Sequence, residues 1–129
     1  MELVKSSPKP SHGAVLASAA NPDCRHDYLV RLNGTTGAQP MRVTVRYVPD
    51  RVIVVAGALT RYCELLDKAF ASEEAVPEVL AITVLDDFNN QLVPRWVEIT
   101  VTGHGHRVVI EDRQPNWDNP VLLARLWRL

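Results

Sequence analysis

Glu78 is the strongest candidate in this sequence for a residue that takes part in chemistry. It follows Pro77 in the first turn of a predicted helix, where the helix dipole stabilises a negative charge whatever its function. The helix is predicted to be apolar on two sides, one made of Val76, Val79, Leu80, Val84 and Phe88 and the other of Ile82 and Leu85. Glu78 stands one turn before Ile82, so it is either a partner of the helix dipole or a functional acid on an apolar surface.

His104 and His106 form a second candidate group, in the run Gly-His-Gly-His between two predicted strands. They could project from the same side of a strand end, and with Cys24 or His26 they would suggest a metal site. Structural and catalytic zinc sites need three or four converging ligands, however, and two alternating histidines supply too few. We therefore predict exposed turn histidines and no bound metal.

The cysteines and Tyr62 are weaker candidates. Cys63 and Tyr62 lie on the apolar stripe of one predicted helix, which indicates buried core positions. Cys24 lies in a polar segment, where Arg25 and His26 could lower its pKa and make it a nucleophile, although a free surface thiol is the simpler interpretation. The sequence contains neither a Ser-His-Asp pattern nor a phosphate-cradling glycine motif.

The elements that must position these residues follow from hydrophobic periodicity. Alternation of apolar and polar residues predicts strands at 27–32, 41–48, 95–102 and 106–111, with a short apolar strand at 52–55. Spacings of three and four predict helices at about 58–71 and 77–91, the second beginning at Pro77. Asn119 and Pro120 predict the start of a short tail helix.

This order, strand-strand-helix-helix-strand-strand, predicts an α+β fold with a four-stranded antiparallel sheet and both helices on one face. The other face then needs cover from the tail or from another subunit, and oligomerisation is the economical solution. We expect a flexible N-terminal arm at 1–22, one domain at 23–115 and a C-terminal tail with a short helix at 116–129.

Composition excludes several classes of function. The chain has 129 residues, with 14 Lys and Arg against 15 Asp and Glu, so it has no overall field that would attract nucleic acid or an anionic membrane. No apolar run approaches the roughly 18 residues of a membrane span, and the first 22 residues lack the apolar stretch of a signal peptide. These features predict a soluble cytoplasmic protein with reduced cysteines and no nucleic-acid or membrane partner.

Several segments, read in order, resemble the QueF-like nitrile reductases of queuosine biosynthesis, which belong to the tunnelling-fold superfamily. They are "HDYLVRL", "TTGAQP" before "VTVRYVPD", "LTRYCELL", "PEVLAITVLDDFNNQLVPRWVEITV" and "HRVVIED", and they cover about residues 21–115. The resemblance implies the same ββααββ order and a homo-oligomer whose subunits join edge to edge into a barrel.

The resemblance also implies a role for Glu78. The superfamily anchors a purine-like or pterin-like ring through a glutamate near the start of the second helix, at a subunit interface, and Glu78 falls at that position. A carboxylate can accept two parallel N–H bonds from an amidine-like ring edge, and apolar surroundings strengthen them. Tyr62, His104 and His106 are the further candidates for substrate contacts.

The parts that the reductases need for their reaction are missing. Their loop between the first two strands carries a nucleophilic cysteine and a proton-transferring aspartate, whereas this chain has "NGTTGAQP". The charged cofactor motif before the first helix is replaced by "VAGALT", Val55 to Thr60, and Pro77 replaces a histidine. We therefore expect neither nitrile reduction nor a bound nicotinamide cofactor, since both depend on those groups.

Two functions remain open from the sequence. The first is a cofactor-independent enzyme that isomerises, cyclises or hydrolyses a small cyclic or heterocyclic metabolite in an apolar intersubunit pocket. Glu78 would then be the substrate anchor or the acid/base, and apolar surroundings would raise its pKa toward that task. The alternative is a non-catalytic module that binds a ligand or completes a barrel with an active paralogue.

Overall fold

A computed structural model describes residues 16–37, 40–69 and 76–128 of the chain. The strands are β1 (Ser18–Ala20), β2 (Val30–Thr35), β3 (Arg42–Val48), β4 (Val52–Val54), β5 (Trp96–Gly103) and β6 (His106–Arg113). The α-helices are α1 (Ala58–Ala69), α2 (Pro77–Leu92) and α3 (Pro120–Leu123), and a 3-10 turn follows at Leu126–Arg128. None of the helices in these residues is long and apolar enough to cross a membrane.

The main sheet is antiparallel, with the strand order β2-β3-β5-β6, and both long helices lie between its second and third strands in sequence. This arrangement confirms the predicted α+β fold. Alternation along β3 and β5 directs one set of side chains toward α1 and α2 and the other set to the opposite side, which we call the outer face. The inward set comprises Val43, Val45, Tyr47, Val97, Ile99 and Val101, all buried.

The apolar stripe predicted for α1 is confirmed, since Leu59, Tyr62, Cys63 and Leu66 are all buried. For α2 the assignment of faces changes. Its buried side chains are Pro77, Leu80, Ala81, Val84, Leu85, Phe88 and Leu92. Val76, Val79 and Ile82 are instead about half exposed, because α2 packs on the sheet through the side of the helix that carries Leu85.

The hairpin between β2 and β3 is tighter than predicted. β2 continues to Thr35, three residues beyond Leu32, and Gly34 pairs with Val43. Helix α1 passes so close to this strand that a Cβ on Gly34 would lie 2.7 Å from the Cys63 sulphur. The glycine that suggested a loop is therefore the point where helix and strand meet.

Residues 16–21 belong to the folded domain, although the sequence assigned them to the flexible arm. β1 pairs antiparallel with β4, Leu16 is buried, and the Asn21 N–H donates to the Arg51 carbonyl at 2.9 Å. The small residues of β1 show no hydrophobic periodicity, so the sequence does not predict this strand. It forms because its backbone pairs with the edge of β4. The rest of the predicted arm, 1–15, lies outside the described residues.

The C-terminal tail packs on the outer face where β5 begins. The Asn119 side chain accepts a bond from the Leu122 N–H at 3.0 Å, as the predicted helix cap requires. Leu122 is buried with Val48 and Trp96, which point away from the main core. The tail thus covers the outer face at the start of β5.

Helix α2 ends at a residue in an unfavourable conformation. Val93 is exposed and has φ 44° and ψ 57°, the left-handed region that a β-branched side chain rarely adopts. We expect Val93→Gly to raise the free energy of unfolding by about 0.5–1 kcal/mol, because glycine adopts this conformation without steric cost. Chemical denaturation monitored by circular dichroism measures the change. Val109→Gly, on β6, is the control and should lower the stability. A loss of stability in Val93→Gly would refute the idea that Val93 is strained.

Candidate functional site

Three of the predicted site residues lie at the same end of the domain, which we call the loop end. Helix α2 leads directly into β5 and packs on β5 and β6, so its first turn lies near the β5–β6 turn. Helix α1 runs beside β2 and brings Asp67 to the β2–β3 loop, where the Asp67 Oδ2 accepts from the Gly37 N–H at 2.6 Å. Glu78, His104 and His106 therefore share this end.

Glu78 lies on an exposed and mostly apolar part of α2. Its side chain is exposed, and the described residues offer it no hydrogen bond or ion pair. Around it, Val76, Val79 and Ile82 are 47%, 48% and 48% exposed. We call these four residues the Glu78 patch. The Glu78 carboxylate therefore stands among three apolar side chains that the described residues leave about half exposed.

His104 lies in the tight two-residue turn between β5 and β6, and His106 is the first residue of β6. Gly103 pairs with His106, while His104 (φ 53°) and Gly105 (φ 75°) occupy the turn in left-handed conformations typical of a type I′ hairpin. Both histidines are exposed, and within residues 16–37, 40–69 and 76–128 no three His, Cys, Asp or Glu side chains converge as a metal site.

Tyr62 is placed differently from the other candidates. Its side chain is fully buried, and its hydroxyl donates to the Asp87 carboxylate at 2.5 Å. Burial, together with this hydrogen bond, raises the pKa of Tyr62 far above its ordinary value. The ring meets Phe88 edge to face at 6.4 Å. Tyr62 thus joins α1 to α2 inside the core and is not accessible to a ligand in the single chain.

Cys63 of α1 lies against β2, next to the β2–β3 loop that lacks the reductases' cysteine. Cys63 is buried, and burial, with a smaller contribution from Asp67, raises the pKa of its thiol to about 11. A thiol with that pKa is protonated at neutral pH and is a poor nucleophile. Cys63 and Asp67 are one helical turn apart, a spacing visible in the sequence, but the approach of α1 to Gly34 is not.

Sequence reasoning missed a concave surface on the outer face, beside the docked tail. This cavity has a volume of about 530 Å³. It is lined from the sheet by Glu98, by three threonines and by four arginines, and from the tail by Leu126 and Trp127. The arginines are Arg31, Arg42, Arg46 and Arg107. The alternation "MRVTVRYV" was the available signal, but it indicated only a polar sheet face.

Arg46 is bound within this surface. Its guanidinium contacts the Glu98 carboxylate through Nε and Nη2, both at 2.7 Å, and donates from Nη1 to the Leu126 carbonyl. This ion pair is only about one-sixth exposed on either side, and it attaches the tail to β3 and β5. Arg46 therefore has a structural role.

A second polar cluster, which we call the Arg95 cluster, lies at the end opposite the loop end. The Arg95 guanidinium contacts Asp27 at 2.8 Å and Asp50 at 3.3 Å, and it donates to the Cys24 carbonyl at 2.8 Å. From the tail, the Trp117 indole and the Asn119 amide both donate to Asp27, at 3.0 and 2.9 Å. These contacts hold separate segments together, and we assign the cluster a structural role.

No family model matches the chain, and no curated protein matches it. One similar solved structure is the archaeosine synthase QueF-Like in its apo form, with 16% sequence identity and a TM-score of 0.45. The match covers 71% of this chain and 96% of that one. At this level the likeness assigns neither a ligand nor an activity to this chain.

Proposed function

We propose that the chain is a divergent QueF-like subunit of a tunnelling-fold homo-oligomer that converts a small cyclic or heterocyclic metabolite. Glu78 anchors the substrate in an apolar pocket between subunits. The observation that carries this proposal is the Glu78 patch, where a carboxylate without a partner among the described residues stands between half-exposed Val79 and Ile82. Such a patch suits a surface that a second subunit covers.

The sheet supports an edge-to-edge assembly. In the described residues β2 pairs only with β3 and β6 only with β5, so both edge strands present free backbone groups. Because α2 packs on β6, a subunit joined at that edge would also approach the Glu78 patch. Water would then be excluded from around the carboxylate, and its bonds to ligand N–H groups would gain strength.

The reaction that fits this site is proton transfer during an isomerisation, cyclisation or hydrolysis. A carboxylate held against the substrate by a covering subunit can give or take a proton as a general acid or base. His104 and His106 lie at the same end and are the further candidates for substrate contacts. The proposal requires no nicotinamide, because the chain lacks the motif that the reductases use for it.

The test compares Glu78→Gln with Asp86→Asn, which neutralises another exposed acid on the same helix. Native mass spectrometry of the purified chain would identify a co-purifying small molecule, and titration with guanine and pterin would supplement it. We expect Glu78→Gln to weaken ligand binding about tenfold or more, since a charge-assisted hydrogen bond is lost. Asp86→Asn should bind as the unchanged chain does, and equal binding by all three proteins would refute the anchor.

A second candidate function is a non-catalytic subunit that binds a ligand or completes a barrel with an active paralogue. The observation that favours it is the burial of Cys63, the cysteine beside β2, so that the described part of the β2–β3 loop presents no accessible thiol. Light scattering, together with mass spectrometry of the ligand, separates the possibilities. A homo-oligomer that converts its co-purifying ligand supports the first function, whereas a ligand that stays unchanged, or assembly only with a paralogue, supports the second.

A further inference from the structure

We infer that the outer face binds the phosphate group of a small phosphate monoester between Arg42 and Arg107. This site lies on the sheet face opposite the helices and does not depend on the Glu78 patch. Three observations carry the inference: the register of three strands, the availability of two arginines, and the size of the cavity beside the tail.

The register aligns Arg42 of β3, Thr102 of β5 and Arg107 of β6 in one row across the sheet. Neighbouring strands are about 4.8 Å apart, so the two arginine backbones are separated by roughly 10 Å, with the threonine between them. Arginine side chains are long enough to bring both guanidinium groups over the Thr102 hydroxyl. Thr44 and Thr100 pair two residues along the same strands and extend the row of hydroxyl groups.

Arg42 and Arg107 are available for such a ligand. Both are exposed, and neither has a hydrogen bond or an ion pair among the described residues. Arg46 differs from them, since Glu98 neutralises it. Four arginines and one glutamate line this cavity in a chain whose overall formal charge is −1. The positive charge is thus concentrated on one face, and a concave surface focuses such a field on an anion.

The donor set favours a phosphate over a carboxylate. Two guanidinium groups present planar forks that match phosphate oxygens bidentately, and threonine hydroxyl groups can serve the remaining oxygen. A carboxylate has only two oxygens and would leave some of these donors unused. The chemistry therefore points to a group with three terminal oxygens.

The cavity favours a small molecule over a polymer. Its volume of about 530 Å³ is within the range of small-molecule sites, and the tail closes one side with Leu126 and Trp127. The Trp127 ring is 77% exposed, and the Arg128 guanidinium carbon lies 4.7 Å from its centroid. An apolar or aromatic part of the ligand can therefore pack against the tail while the phosphate lies over the threonines.

The test is calorimetric titration of the full-length chain with inorganic phosphate and with adenosine monophosphate at low salt. We expect one site per chain, and we expect Arg42→Gln and Arg107→Gln each to raise the Kd about tenfold, the value of one charge-assisted contact. The control is Arg61→Gln, which removes the same charge from the exposed side of α1 and should leave the Kd unchanged.

Thr102→Val is a second variant, which removes one hydroxyl and no charge and should weaken binding severalfold. If the nucleotide binds more tightly than inorganic phosphate, the tail contacts the rest of the ligand. If the two bind equally, the site recognises the phosphate group alone. Both results support the inference. The absence of binding at millimolar concentration would overturn it, as would equal losses in Arg61→Gln. Preferential, strongly salt-dependent binding of a single-stranded oligonucleotide would also overturn it. Glu78→Gln should leave the titration with inorganic phosphate unchanged, because that ligand has no ring for the Glu78 patch to bind, so the two proposals can fail separately.

Discussion

Arg95→Met is expected to lower the free energy of unfolding by about 2–4 kcal/mol, since it leaves partly buried acids without their counter-charge. The Arg95 and Asp27 side chains are 17% and 18% exposed, so solvent screens their ion pair only partly. Arg95 also donates to the Cys24 carbonyl and to Asp50, and methionine can replace none of these bonds. Urea denaturation followed by tryptophan fluorescence measures the loss.

The same cluster should make stability depend on pH. Burial acts to raise the pKa of Asp27, but hydrogen bonds from Asn119, Arg95 and Trp117 outweigh it, so the pKa of this carboxyl lies below its usual value. A carboxyl with a lowered pKa in the folded state adds stability above its unfolded pKa, about 3.9, and that stability is lost as the pH falls through the folded value. Asp27→Asn should remove this part of the acid dependence.

The matched control is Arg61→Met, whose ion pair with Glu64 spans 3.6 Å and is well exposed on both sides. We expect its effect to stay within about 0.5 kcal/mol, as for other surface pairs. If Arg95→Met were equally mild, the cluster would be a surface feature, and the Asp27 contacts to the tail would hold the fold without Arg95.

Leu122→Asp is expected to detach the tail from the outer face at a cost of about 3 kcal/mol, because it places a charge in an apolar site and loses the burial of leucine. Leu122 is 7% exposed and packs with Val48 and Trp96. Detachment would expose Trp96 and shift its fluorescence to longer wavelength. Trypsin, which cleaves after arginine, should then cut at Arg125 and Arg128 much faster.

Val121→Asp is the control next to it in sequence. Val121 is 72% exposed, so an aspartate there remains in water and should leave stability and proteolysis nearly unchanged. A large effect in both variants would mean that the added charge, and not the lost burial of Leu122, detaches the tail. A mild effect in both would contradict the docking of the tail through Leu122.

The strands and helices could be predicted because their periods are local. The stripe with Leu59, Tyr62 and Leu66 indicated α1, and the alternation of Val43, Val45 and Tyr47 indicated β3; the burial of these residues confirms both. The strand at 18–20 could not be predicted, since Ser-Ala-Ala has no period of its own and is ordered by the edge of β4. Tertiary contact decides such segments.

The candidate site divides in the same way. Glu78 was identified from its place in the first turn of α2, and the two histidines from their glycine-bearing turn. That these three residues share the loop end follows only from the antiparallel passage of α2 over the sheet. The arginine surface was not identified, because Arg42 and Arg107 are 65 residues apart and only the register of β3, β5 and β6 brings them into one row.

The sequence by itself determined the order of the four main strands and two long helices, the alternation of β3 and the absence of the reductase motifs, since these depend on residue types and local spacing. Only the tertiary structure decided that Gly34 belongs to a strand, that the Tyr62 hydroxyl bonds to Asp87, and that the tail packs on the outer face at the start of β5. The physical reason is that burial and convergence arise from contacts between residues far apart in the chain, where close packing selects which faces meet.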